Sequence, residues 1–398
     1  MMPTTTAART ARHRAAPSRL GRLGRLAVAA VACVPAAVAG AQGNVSTQGY
    51  GYPQGGTSVR TAATGGAFAE FDALTPWNPA GLAGLRRLVV TVQGEPELRS
   101  VRVGDVTERT RTQRMPLALL AIPLRESMTA SVSVATLLDR TANTRSFGTA
   151  VIDGVALATD DRARTRGAAN DLRTAIGWRV NDRVSVGAAG HLVVGQNVVA
   201  VSRIFADSLQ FGSVSDSSKL VLFGTALTVG ADVRVGRGVS LAGSWRRGNG
   251  FDASVQDSVV GSGRVPDRLG LSVRYDGIPG ALFAAGVEHH AWSTMRGMGS
   301  PDMAVRDATN WHGGAEFTGP PLRGVPMLLR AGVARQQLPF GVAGAFARET
   351  RWGGGVGLPV ARDRASIDLS VQRANRTLAG SPVREAAWLI GFGLQVRP

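Results

Sequence analysis

The sequence predicts an all-β protein: a transmembrane antiparallel β-barrel of about fourteen strands with an N-terminal hatch or plug segment inside its lumen. Three observations carry that expectation. Past residue 86, apolar and polar residues alternate with a period of two through most of the chain. The alternating segments, beginning near 88, 111, 127, 169, 184, 219, 239, 266, 281, 309, 326, 348, 364 and 384, number an even fourteen. No window approaches the roughly 18 uninterrupted apolar residues of a spanning helix.

The chain opens basic. Residues 9 to 25 hold six Arg and no acid, LAVAAVACVPAAVAG follows from 26 to 40, and Ala39-Gly40-Ala41 supplies a small-x-small cleavage pattern before Gln42. Residues 1–41 therefore read as a secretory signal peptide, and six of the formal +17 charges leave with it, putting the mature chain at +11. Cys33, the only cysteine, lies within the apolar core of that signal, and Ala30-Val31-Ala32 before it lacks the Leu of a lipoprotein signal. The mature chain then has no cysteine, which excludes disulfides, thiol catalysis and a Cys-based zinc site.

Residues 42–85 are rich in Gly and small polar residues, too irregular for a strand and too punctuated by Gly and Pro for a long helix. Fourteen strands enclose a bore that needs filling if it is not to be an open pore, and this segment is the natural filler.

The barrel is expected over 86–398. In DLRTAIGWRV, residues 171 to 180, Leu172, Thr174, Ile176, Trp178 and Val180 share one face and Asp171, Arg173, Ala175, Gly177 and Arg179 the other. Asn181-Asp182 makes a tight turn, and RVSVGAAGHLVVG resumes the alternation. The unit recurs through KLVLFGTALTVGADVRV with VSLAGSW, RLGLSVRY with ALFAAGVEHHAW, NWHGGAEFTG with PMLLRAGVARQ, and RWGGGVGLPV with RASIDLSVQR. Polar stretches at 140–168, 201–218 and 293–308 read as long loops at the end opposite the short turns, and an even strand count puts both termini on the periplasmic side. A closed barrel is also what lipid demands, because it pairs every backbone N–H and C=O without leaving an edge. At the chain end, Trp388, Ile390, Phe392, Leu394 and Val396 form a lipid-type face, and Gly391-x-x-Leu394-x-Val396 resembles the C-terminal assembly signal of such barrels; Arg397-Pro398 replaces the usual terminal aromatic.

Gly65-Gly66-Ala67, Asp72-Ala73 and Trp77-Asn78-Pro79-Ala80-Gly81-Leu82 resemble the hatch of the FadL-like outer-membrane transport proteins and their PorV/PorQ relatives. The later stretches GVEHHAW, GGAEF, LLRAGVARQQLPF and SIDLSVQRANR follow the PorV-type pattern in order and spacing. The resemblance implies a fourteen-stranded barrel plugged by this hatch. It also implies one of two jobs: inward movement of long-chain fatty acids or other hydrophobic molecules, or a PorV-type part in protein secretion. The hatch or gate residues it singles out are Gly65, Gly66, Asp72, Trp77, Asn78, Pro79 and Ala80. Physically, the glycines permit torsions other residues avoid, Pro79 keeps Asn78 extended, and the Asn78 amide can bond nearby backbone.

Alternation from Gly286 turns Glu288 and His290 inward; His312 and Glu316 follow on the next strand, Arg330 on the one after, with Asp368 further round and Arg268 and Arg274 before. Cross-strand neighbours would bring Glu316 to Arg330, and Glu288 with His290 to His312. This lumen polar cluster reads as salt bridges that rigidify the bore, with a metal or proton-responsive cluster as the sharper alternative. No resident metal, cofactor or catalytic residue is assigned: no nucleophile elbow is present, and GRGVSLAGS lacks the strand–turn–helix setting of a phosphate loop.

Lys219 is the only lysine among 45 basic residues, and an exported chain without aromatic–basic clusters is not expected to bind nucleic acid. Asp161-Arg162-Ala163-Arg164-Thr165-Arg166, placed in an outer loop, would pair with lipopolysaccharide phosphates or be solvated. The expected setting is the bacterial outer membrane, and the expected partners are its lipid, a hydrophobic small-molecule ligand, or a secreted or periplasmic protein. Passage of hydrophobic small molecules is the first reading, a PorV-type secretion or assembly factor the second, and a structural barrel the third.

Overall fold

The computed structural model describes residues 45–398 apart from 49, 153, 207–211, 300–302, 323, 343 and 363. The expected signal peptide, 1–41, lies outside the described residues, as do the first hatch residues, 42–44.

Fourteen antiparallel strands close into a barrel. The first half runs β1 (Val89–Val103), β2 (Val106–Arg114 with Leu117–Arg125), β3 (Met128–Asp139 with Ala142–Ile152), β4 (Val155–Arg179), β5 (Val184–Phe205), β6 (Val214–Gly236) and β7 (Val239–Val255). The second half runs β8 (Ser258–Arg264 with Asp267–Ile278), β9 (Ala281–Ala291), β10 (Met303–Val305 with Ala308–Leu322), β11 (Val325–Val342), β12 (Ala345–Val360), β13 (Ala365–Leu378) and β14 (Arg384–Val396). Each strand pairs with the next, and β14 closes onto β1 from Val396↔Val90 to Arg384↔Arg102. All fourteen segments read from the alternation are present.

The faces follow the period of two. Leu227 is 69% exposed on the outer wall, Trp311 60% and Phe392 49%, while their inward neighbours Ala226, His312 and Gly393 line the bore. Apolar side chains outside and polar ones inside invert a soluble protein, and lipid is the solvent that rewards the inversion.

The long loops are a correction. Of 140–168, residues 142–152 and 155–168 are strand, and they form a hairpin that continues the wall outward. Residues 201–205 and 214–218 likewise extend β5 and β6, and Trp292–Met298 is a 3₁₀ turn. The Asp161–Arg166 run is strand, not loop. Charged residues suit these extensions because they meet across strands, Arg145 with Asp160 and Arg203 with Asp161 at 2.6 and 2.8 Å, and along one strand, Arg162 with Asp160. At about 3.3 Å per residue, the 25 residues of β4 reach roughly 80 Å, far beyond the ~10 residues that cross a bilayer at a tilt.

The hatch runs along the bore, from the Pro79–Gly84 turn near the end that holds both barrel termini to Ser46, which bonds Glu385 near the start of β14. Among the described residues its one α-helix, α1 (Val59–Ala63), is five residues long and N-capped by Ser58, whose side chain accepts from Thr61 N. A 3₁₀ turn, Pro79–Gly84, follows an N-cap at Asn78. Room for this backbone comes from glycines on the inner wall. A Cβ on Gly177 would lie 2.6 Å from the Pro79 oxygen and 2.8 Å from Leu82 Cβ, and one on Gly187 2.5 Å from the Pro79 carbonyl carbon. Gly314 and Gly332 make the same allowance for Thr64, and Gly355 for Ala63. Glycine inside a strand marks a close backbone approach, and here two clusters of them seat the end of α1 and the Pro79–Gly84 turn.

Candidate functional site

Asp72 holds the hatch to itself. One carboxylate oxygen accepts from the hydroxyls of Ser58, Thr61 (2.9 Å) and Thr75 (3.0 Å), and the other from Leu74 N at 3.2 Å. Three hydroxyls, from the α1 cap, α1 itself and the turn beyond it, thus share one buried charge. Asn78 ties hatch to wall: its amide nitrogen donates to the carbonyls of Glu70 and Ala231 at 3.0 Å each, and its oxygen caps Ala80 N at 3.0 Å. Trp77 donates from Nε1 to Gly55 O at 2.5 Å, and the Arg268 guanidinium lies 4.0 Å from its ring centroid. Gly65 and Gly66 have φ of 66° and 95°, and Gly66 lies against the His312 ring, whose Nδ1 bonds Gly65 O at 2.6 Å. Every hatch position singled out in the sequence lies in this plug; Pro79 and Ala80 form its seat against β4–β6.

The lumen residues divide into two groups. Glu288 accepts from Arg268 Nε (3.2 Å), His290 Nε2 (3.1 Å), His312 Nε2 (3.2 Å) and Asn310 (3.0 Å), and Arg268 also bonds the hatch's Glu70 at 2.5 Å. Glu316 accepts from Arg330 at 2.7 Å and from the hatch's Arg60 at 2.8 and 2.9 Å, and Arg330 passes on to Asp368. Glu316 and Arg330 are direct register partners. Both groups therefore bind hatch to wall, a role that cross-strand spacing alone does not reveal. Among the described residues no His, Cys, Asp or Glu trio is arranged to hold a metal ion.

Two further networks escaped the sequence reading. Arg376, fully buried on β13, donates to Glu349 on β12 (2.5 Å), Glu97 on β1 (2.7 Å) and Glu385 on β14 (2.6 Å). Arg99, Arg114 and Arg351 bond the same acids, Arg114 adds Asp139, and the Tyr52 hydroxyl donates to Glu349 at 2.9 Å. The signal was there: the alternation of LVVTV runs on through Gln93, Glu95, Glu97 and Arg99, and Pro96 on the outer face hides it. The second network is a string, Asp171–His191 Nδ1 at 2.9 Å and His191 Nε2–Thr228 at 2.8 Å. Its order is that of a hydrolytic relay, but a relay also needs oxyanion donors. Thr228 sits in a continuous ladder with Ala189 and Arg246 on either side, so the backbone around it is committed to the sheet.

Away from the Pro79–Gly84 seat, part of the bore is apolar, and the hatch itself contributes Tyr50 to it. Tyr50, Leu138, Phe251, Trp292, Met295 and Phe340 belong to one buried cluster, into which the Trp292–Met298 turn folds like a cap. Between hatch and cap lies a chamber of about 80 Å³, lined by Gly65, Gly66 and Trp77 on one side, Leu137, Leu338 and Trp292 on the other, with His191, His290 and His312 around it.

The fold and site define a plugged, closed β-barrel whose wall faces lipid and whose lumen is part polar lattice, part apolar. Solved structures of FadL type share that fold. A FadL homologue of Pseudomonas aeruginosa aligns with a TM-score of 0.57 at 12% identity, over 86% of this chain and 98% of that one. The Ralstonia pickettii toluene transporter TbuX aligns at 0.58 and 13%, over 86% and 99%, and the P. putida toluene transporter TodX at 0.57 and 14%, over 86% and 98%. No family model and no curated protein matches the sequence.

Proposed function

We propose that this chain is a bacterial outer-membrane protein that passes hydrophobic small molecules through a plugged barrel. The observation that carries the reading is the apolar cluster inside the bore: a water-filled porin has a polar lumen, whereas here Leu138, Phe251, Trp292, Met295 and Phe340 pack together within it and Trp292 also lines the chamber. Structures of like fold are toluene transporters, which supports the same class of solute. Arg-rich strand extensions around 145, 162 and 203 would stand among lipopolysaccharide phosphates at the outer surface.

The test is uptake of labelled toluene and of a labelled long-chain fatty acid by cells that make the chain and by matched cells that do not. Faster uptake of either solute supports passage. Equal uptake of both, with a secreted or periplasmic protein co-purifying, replaces this reading with the secretion one.

A further inference from the structure

We infer that the chamber between hatch and cap selects neutral, hydroxyl-bearing molecules from among the hydrophobic solutes, an inference that rests on the passage reading above and narrows its substrate class.

Most of the charged groups that line the chamber already have protein partners. Arg268 is paired with Glu70 and Glu288, Arg351 with Glu349 at 2.6 Å, and Asp171 with His191. Arg246 donates to the Pro266 carbonyl at 3.1 and 3.2 Å and lies 4.0 Å from Asp171. The fully buried lining atoms without a hydrogen-bond partner are neutral: both amide atoms of Gln54, both of Gln372, and Nδ1 of His290. Gln372 is 1% exposed. His290 turns Nε2 to the Glu288 carboxylate at 3.1 Å, so in the neutral ring the proton sits on Nε2 and Nδ1 offers a lone pair.

Buried polar atoms without partners are costly, and the molecule that relieves them must both donate and accept. A hydroxyl does both: its proton goes to His290 Nδ1 or an amide oxygen, and its oxygen takes an amide N–H. A carboxylate only accepts, so it would leave the amide oxygens and His290 Nδ1 without a donor, and it would arrive beside Glu288 and Asp171. A hydrocarbon matches none of these atoms. The space, about 80 Å³, is roughly half the ~150 Å³ cavity that takes benzene, so it admits the hydroxyl end of a molecule and its nearest carbons, which meet Leu137, Leu338 and Trp292, while the rest extends toward the apolar cluster that Trp292 joins.

Calorimetric titration of the full mature chain in detergent, against protein-free micelles, compares cyclohexanol, methylcyclohexane and cyclohexanecarboxylate. Cyclohexanol is expected to bind about tenfold tighter than either analogue. Gln372→Leu on the wall and Gln54→Leu on the hatch should each bring cyclohexanol to within about twofold of methylcyclohexane while leaving the hydrocarbon unchanged. Two variants on separate elements guard against one that misfolds, and retained heat-modified gel mobility certifies each barrel. Hydrocarbon or carboxylate binding as tightly as the alcohol overturns the inference but leaves passage standing. So does a preference that survives both substitutions. Binding of none of the three by folded protein likewise overturns the inference, and passage then stands or falls on the uptake test.

Discussion

A Cβ on Gly177 of β4 would stand 2.6 Å from the carbonyl oxygen of Pro79, so the hatch and the wall approach as backbone to backbone at this point. Gly177→Val should unseat the Asn78–Gly84 turn at a cost of about 1–3 kcal/mol from overpacking. Limited proteolysis should then cut within 45–85 faster than in the wild type. Gly84→Ala, at a glycine with open space around it, should leave the rate unchanged. Equal cleavage of all three proteins would show that the seat is not what holds the plug.

Asp72→Ala strands the hydroxyls of Ser58, Thr61 and Thr75 and the amide of Leu74, all met by one carboxylate. Each buried donor left without an acceptor costs about 1–3 kcal/mol, and here the loss falls on the hatch alone. Hydrogen exchange should rise across α1 and the turn after it while β1–β14 keep their protection. Planar-bilayer recordings should show conductance that the wild type lacks. Uniform loss of protection over hatch and wall would contradict this.

Arg376 spans β12, β13, β14 and β1, and so fastens the seam where the barrel closes. Arg376→Met leaves three buried carboxylates short of their shared cation, and the expected loss is about 3–5 kcal/mol, read as a lower midpoint of heat-modified gel mobility. Arg376→Lys should rescue little, because one ammonium on a flexible stem cannot reproduce the planar fork that reaches three strands. Full rescue by lysine would mean that charge alone, rather than the fork, matters here.

Arg145 and Arg162, both hydrogen-bonded to Asp160, hold its carboxyl well below the usual carboxylate range. A depressed value means that the ion pairs contribute at any pH above the unfolded carboxyl's value, about 3.9, and fade as pH falls through the folded one. Amide protection in the 142–165 hairpin should therefore be flat from about pH 8 to 5 and decline only below about pH 4. In Asp160→Asn that decline should vanish. The pairs are solvent-exposed, so added salt should weaken the wild-type effect.

The period of two determined, without any structure, that this chain builds fourteen strands with a lipid face and a polar bore. It also placed Glu316 opposite Arg330, because neighbouring antiparallel strands convert spacing directly into contact. Beyond that distance the sequence is silent in two ways. Strand extensions at 142–168 look like loops, since their outward positions are charged, and only pairs such as Arg145 with Asp160 reveal them as wall. Contacts across the bore are hidden as well: Arg60 to Glu316 and Ser46 to Glu385 join residues more than 250 positions apart, and no local pattern encodes them. Closure of the barrel around its own leading segment decides which glycines become a seat, which arginines are shared, and which neutral amides are left facing a chamber. The physical reason is that backbone periodicity sets the direction of a side chain, whereas its partner is set by what the closed cylinder brings to the far end of it.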